Sequence, residues 1–155
     1  MSVSLLLVPV ALAAATTTVA GLASGRDSTG RTVCRVQTRM RDENLLAAAL
    51  RETGAAVTVQ TDEIEVAWHG VQATFRRGQD GVWTASFTGD VDENRAMEIV
   101  RAVDAGYGRQ VQRAVLERLR ERAPAAGLRL ESEHVTEDEA VRLVFAVRQG
   151  AHRVG

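Results

Sequence analysis

Strict alternation of apolar and polar residues dominates the middle of the chain. Ile64, Val66 and Trp68 alternate with Glu65, Ala67 and His69. Val71, Ala73 and Phe75 alternate with Gln72, Thr74 and Arg76, and Trp83, Ala85 and Phe87 alternate with Thr84, Ser86 and Thr88. Successive side chains of a strand point to opposite faces, so each run predicts a strand with one buried and one wet face. His69-Gly70 and the stretch from Gly78 to Gly81 supply tight turns between them, which makes the set an antiparallel meander. Val57 and Val59 begin this run of strands. Thr32 to Thr38 reads as an earlier strand with Val33 and Val36 as its apolar members. Leu128 to His134 and Ala140 to Arg148 read as two closing strands, joined by an acidic loop around Glu137, Asp138 and Glu139.

The period changes twice. Leu45, Leu46, Ala49 and Leu50 form an apolar stripe at helical spacing, with Asp42 as N-cap, Glu43 at the positive end of the dipole, Arg51 in the last turn and Gly54 as a left-handed stop. Ala96, Ile99, Val100 and Val103 repeat the pattern after a cap at Asp90 or Asp92. Gly106-Tyr107-Gly108 then predicts a break. The helix resumes with Val111, Val115 and Leu119 inward and Leu116 and Ala123 flanking, and ends at Pro124 and Gly127. The resulting order predicts an α+β domain over residues 32–149, an antiparallel meander sheet with two helices packed on one face. A linker over 26–31 precedes it and a tail over 150–155 follows.

Residues 1–25 contain no charged side chain. A helix rises about 1.5 Å per residue, so about 20 apolar residues cross a hydrocarbon core of about 30 Å. Ser2 to Ser24 meets that length, with Leu5, Leu6, Leu7, Val8, Val10, Leu12, Val19 and Leu22 as its apolar members. The expectation is an N-terminal hydrophobic helix that anchors the chain as a single membrane pass; Pro9 would kink it, which membrane helices tolerate. Arg26, Arg31, Arg35, Arg39 and Arg41 follow the stretch and none precedes it, so the positive-inside rule places the C-terminal domain in the cytoplasm. A signal peptide cleaved near Ala11-Leu12-Ala13, leading to export, and a soluble buried helix are the alternatives. Gly21 and Gly25 have the GxxxG spacing but stand at the end of the stretch, and read as small residues near an interface.

Composition narrows the function classes. A formal net charge of −1 supplies no field to draw in nucleic acid. All basic residues are Arg, which reads as coding bias of a GC-rich genome. The lone Cys34 excludes an internal disulfide and any multi-cysteine zinc site.

A resemblance enters at particular residues. Val33-Cys34-Arg35-Val36-Gln37-Thr38, then Arg41-Asp42 and Leu45 to Gly54, resemble the opening of the hypothetical chloroplast reading frame 35 family: a strand ending near Thr, a charged turn, then a helix ending in Gly. Tyr107 in its helix, Gly127 at its close, and the strand through Glu133 to Val141-Arg142-Leu143-Val144 extend the likeness over roughly residues 33–148. The family is known from plastids and bacteria and usually starts at the first strand, so the N-terminal stretch is an addition. Its members often lie beside genes for AAA-type ATPases. The resemblance therefore implies an accessory role with such an ATPase as partner, and it carries over no catalytic residue.

The residues themselves offer little chemistry. His69 falls in a turn, His134 near a strand end and His152 in the tail. Glu131 and Glu133 point opposite to His134 on a strand, so no three-ligand metal site is expected. The spacing of Glu137, Asp138 and Glu139 is not that of a calcium loop. Cys34 has no base nearby in sequence. Gly106-Tyr107-Gly108 follows a helix and lacks the lysine of a phosphate loop. Arg109, Arg113 and Arg120 on the second helix are the candidate partner surface, with Glu117 and Glu121 interspersed. The reading is a membrane-tethered, non-catalytic accessory domain that needs no cofactor. An enzyme with a pocket assembled in three dimensions, or weak nucleic-acid binding through the Arg-rich helix, are the alternatives.

Overall fold

The computed structural model describes residues 2–7, 23–26, 28 and 30–148. Nine strands and two helices occur among them: β1 Ser2–Leu7, β2 Ala23–Arg26, β3 Thr32–Gln37, α1 Glu43–Glu52, β4 Ala56–Gln60, β5 Glu63–Trp68, β6 Val71–Arg77, β7 Trp83–Gly89, α2 Glu93–Arg122, β8 Leu128–Val135 and β9 Val141–Val147. The class is α+β with antiparallel sheets, as the alternation predicts. The strands divide between two sheets, ordered β2-β3-β7-β6-β5-β4 and β1-β9-β8. The chain correspondingly separates into two compact units, Ala14–Gln110 and Met1–Ala13 with Val111–Gly155.

In the unit around the six-stranded sheet, Cys34, Val36, Ile64, Val66, Ala73, Phe75, Ala85 and Phe87 project from one face into a core closed by α1 and the first half of α2. Phe75 meets Phe87 edge-on with centroids 6.3 Å apart, a favoured aromatic geometry. The opposite face carries Arg35, Ser86, Thr74, Glu65 and Thr58 in one cross-strand row. α1 begins as its sequence directs: the Asp42 carboxylate accepts from Leu45 N–H at 3.0 Å, and Leu46, Ala47, Ala49 and Leu50 are buried. At its end Gly54 adopts φ +79°, a conformation that favours glycine. Asp92 caps α2, accepting from Arg95 N–H at 2.7 Å.

α2 is one continuous helix, which corrects the expected break at Gly106-Tyr107-Gly108. Gly106 serves packing. A Cβ on Gly106 would lie 3.4 Å from Ala49 Cβ and 3.3 Å from Glu52 Oε2, so its absence lets α2 approach α1 closely. Helix propensity costs about 1 kcal/mol for such a glycine, and the interhelical contact offsets it.

In the other unit, β9 is the central strand. Val141, Leu143 and Phe145 bury against Leu116 of α2 and Ala123 just beyond its end, with Leu119, Leu128 and Leu130 packed around them. β9 pairs with β8 on one side and with β1 on the other, with Val3 opposite Phe145 and Leu5 opposite Leu143. Ser2–Leu7 is therefore a strand, and the expected N-terminal hydrophobic helix is not formed there. The physical reason is β9: a lone hairpin would leave the N–H and C=O groups of its second edge without strand partners, and a third strand completes the sheet. Of the expected anchor residues, Leu5, Leu6 and Leu7 lie in β1, while Val8, Val10, Leu12, Val19 and Leu22 lie outside the described residues. Among the described residues no helix is long and apolar enough to cross a membrane. Arg26, read as the start of the linker, belongs to β2, as do Ala23 to Gly25 at the end of the expected anchor.

Candidate functional site

Two of the three candidate arginines of α2 are drawn into intramolecular pairs. Arg109 reaches Glu52 of α1 at 3.1 Å, and the same carboxylate accepts from Gln110. Arg120 donates to both oxygens of Glu133 on β8, at 2.6 and 2.5 Å. Arg113 is exposed. Arg120 thus ties helix to sheet within one unit, and Arg109 ties helix to helix within the other.

The candidate catalytic groups stay dispersed. His69 and His134 are exposed, His152 lies outside the described residues, and among the described residues no three His, Cys, Asp or Glu side chains gather closely enough to hold a metal ion. Cys34 is buried at the sheet–helix interface, and burial, reinforced by Glu93 and Asp92, pushes its thiol pKa up from the ordinary 9.0. That disfavours the thiolate a nucleophile needs. A shallow cleft of about 500 Å³ opens at one end of the six-stranded sheet, among Arg31, Thr32, Trp68, Gln72 and Thr88. Its floor is held firmly: the Trp68 indole N–H donates to Thr53 Oγ1 at 2.9 Å, and the ring stacks on Phe87. These lining groups offer hydrogen bonds and an aromatic surface, with no carboxylate, imidazole or thiol to move a proton.

The most distinctive exposed feature is the β1 edge of the three-stranded sheet. Among the described residues β1 pairs on one side alone. It carries no charge, proline or bulge, and Val3, Leu5 and Leu6 are 45%, 39% and 52% exposed. The opposite edge, β8, is defended in the usual ways. Its register shifts between Leu130 and Ser132, and Arg129, Glu131, Glu133 and His134 are all exposed along it.

The helix extends the apolar edge. Directly paired residues share a sheet face, so Val3 and Leu5 lie on the face that α2 covers, with Phe145 and Leu143. Successive helical residues turn by about 100°. With Leu116, Leu119 and Ala123 inward, Arg120 stands on one flank and Val115 and Val111 on the other. Arg120 meets Glu133 of β8, so the valine flank is the one turned toward β1. Val111 and Val115 are 36% and 37% exposed. An apolar strip therefore runs from Val3 and Leu5 to Val115 and Val111, beside a strand edge that has no partner among the described residues.

The sequence held a signal for this edge. Val3, Leu5 and Leu7 alternate with Ser2, Ser4 and Leu6, a strand period at the head of the uncharged stretch. No family model, no curated protein and no solved structure matches the chain.

Proposed function

We propose that this chain is a non-catalytic accessory module that binds a polypeptide along the outer edge of β1. The observation that supports the reading is the contrast between the two edges of one sheet. β8 is bulged and charged, whereas β1 is uncharged and offers backbone hydrogen bonds beside an apolar strip. Strand addition uses these two resources, main-chain bonds for affinity and alternate side chains for selectivity.

Two further parts of the reading rest on the sequence. The uncharged stretch supports attachment to a membrane, with the arginine-rich side facing the cytoplasm. Since Ser2–Leu7 and Ala23–Arg26 are committed to strands, that attachment draws on residues 8–22, fewer than the ~20 of an ordinary span. The resemblance to the reading frame 35 family makes an AAA-type ATPase the client to test first.

A photo-crosslinking side chain at Ser4, compared with one at Glu131 on β8, tests the docking role in living cells. Polypeptide adducts from Ser4 and none from Glu131 are expected. Silence at Ser4, or equal labelling at both edges, counts against the reading. Recovery of an AAA-type ATPase with the full chain from solubilised membranes tests the client.

A further inference from the structure

We propose that the polypeptide received by β1 is a second copy of this chain, the two β1 strands pairing antiparallel about a two-fold axis. This rests on the docking role of β1 and names its occupant. Two independent features of the unit point to self-pairing.

The first is the strand. A two-fold axis sets the middle of a strand against itself, so a charge near the axis faces its like, which destabilises the pair. Ser2–Leu7 carries no charge to repel its own copy. The same operation on β8 would bring Glu131 and Glu133 against their own counterparts.

The second is the charge at the two ends of the unit. β9 leaves the turn holding Glu137, Asp138 and Glu139 at Val141, and Val141 is opposite Leu7. Gln112 Nε2 donates to the Glu139 carbonyl at 3.0 Å, which sets the Val111 end of the helix beside that acidic turn. At the other end the Leu128 N–H donates to the Ala123 carbonyl at 2.8 Å, fixing the last helical turn where β9 finishes, opposite Ser2. Val111, Val115, Arg118 and Arg122 recur at intervals of four, three and four, so they form one stripe, the stripe on the β1 flank. Along that flank the unit is thus acidic near Leu7 and basic near Ser2.

An antiparallel two-fold pairing reverses one copy against the other. It brings the Glu137–Asp138 turn of each copy toward Arg118 and Arg122 of its mate, at two symmetry-equal places. Between them Val3, Leu5, Val111 and Val115 of both copies are removed from water. The result is a continuous sheet ordered β8-β9-β1 and then β1-β9-β8 of the second copy, with no exposed apolar edge and a charged β8 at either limit.

Charge exchange tests this without disturbing β1. Arg118→Glu with Arg122→Glu makes both ends acidic; Glu137→Lys with Asp138→Lys makes both basic. All four side chains are exposed, and circular dichroism checks that each variant keeps the fold. Analytical ultracentrifugation of the full chain at low salt is expected to show a dimer for wild type, weakened about tenfold or more in each variant alone. An equimolar mixture of the two variants is expected to recover dimer, because each mixed contact again opposes acid to base. Raising salt to about 1 M, where the Debye length is ~3 Å, should erase the differences. Leu5→Arg should weaken the wild-type dimer about a hundredfold, since each copy then presents like charge at the seam. A monomeric wild type overturns the second copy; Ser4 adducts to a different polypeptide would then leave the docking role standing. A dimer indifferent to the charge exchanges and to Leu5→Arg overturns the β1 seam and the docking role together.

Discussion

The Tyr107 hydroxyl accepts from the backbone N–H groups of Asp42 at 3.1 Å and Arg41 at 3.3 Å, at the entry to α1. A side chain from the middle of α2 thus satisfies donors where α1 begins, and neighbouring Gly106 removes the Cβ that would hold the helices apart. Tyr107→Phe deletes the acceptor and should lower stability by about 1 kcal/mol, read from urea unfolding. Gly106→Leu forces a side chain into the contact with Ala49 and Glu52 and should cost about 1–3 kcal/mol by the same measurement. Cys34 gives a pH prediction. Its thiol pKa is raised by burial and by Glu93 and Asp92, so the folded chain holds the proton more tightly than the unfolded chain. Stability from this group is constant below about pH 9, falls as pH rises through the ordinary thiol value, and levels off above the folded value. Cys34→Ser should remove that alkaline decline, measured as urea midpoint against pH, and wild-type Cys34 should react with a thiol reagent only on unfolding.

Most elements were legible because each is specified locally. Asp42 and Glu43 start α1 and Gly54 ends it; the alternations at Ile64–Trp68, Val71–Phe75 and Trp83–Phe87 became β5, β6 and β7 with the expected faces buried. The misread elements are those fixed by distant partners. Gly106 and Gly108 look like breakers, until α1 is seen against Gly106. The stretch Ser2–Leu7 looks like the head of a lipid-seeking helix until β9 is seen beside it. Charge absence alone does not distinguish a membrane helix from a strand, because neither requires a charged side chain. The candidate site was hidden for the same reason: an edge strand is defined by its neighbours. Arg120 belongs here too, since its role as a tie to Glu133 needs the β8 register. At this scale β9 carries the three-stranded sheet. Leu143→Ala, at a fully buried position beneath α2, should cost about 2–5 kcal/mol and release both neighbouring strands in hydrogen exchange.

At the scale of the molecule the chain comprises two units with their own cores, one assembled from consecutive strands and the other from its N-terminal strand and its C-terminal hairpin. The second has high sequence separation between β1 and β9, so its formation waits on a long closure. That unit also bears the edge on which the proposed function depends. Its commitment of Ser2–Leu7 to the sheet sets a limit on membrane attachment: replacing Leu5 and Leu6 by Ser should alter the association state while leaving the membrane fraction of the chain unchanged, assayed by flotation. Everything proposed for the edge requires that Ser2–Leu7 be an ordered strand on β9 with the register Leu5–Leu143. Site-resolved amide hydrogen exchange on the full chain measures this directly. Slowed exchange within Ser2–Leu7 that is lost together with Val141–Val147 in Leu143→Ala is the expected result, and exchange at random-coil rates through Ser2–Leu7 would contradict it.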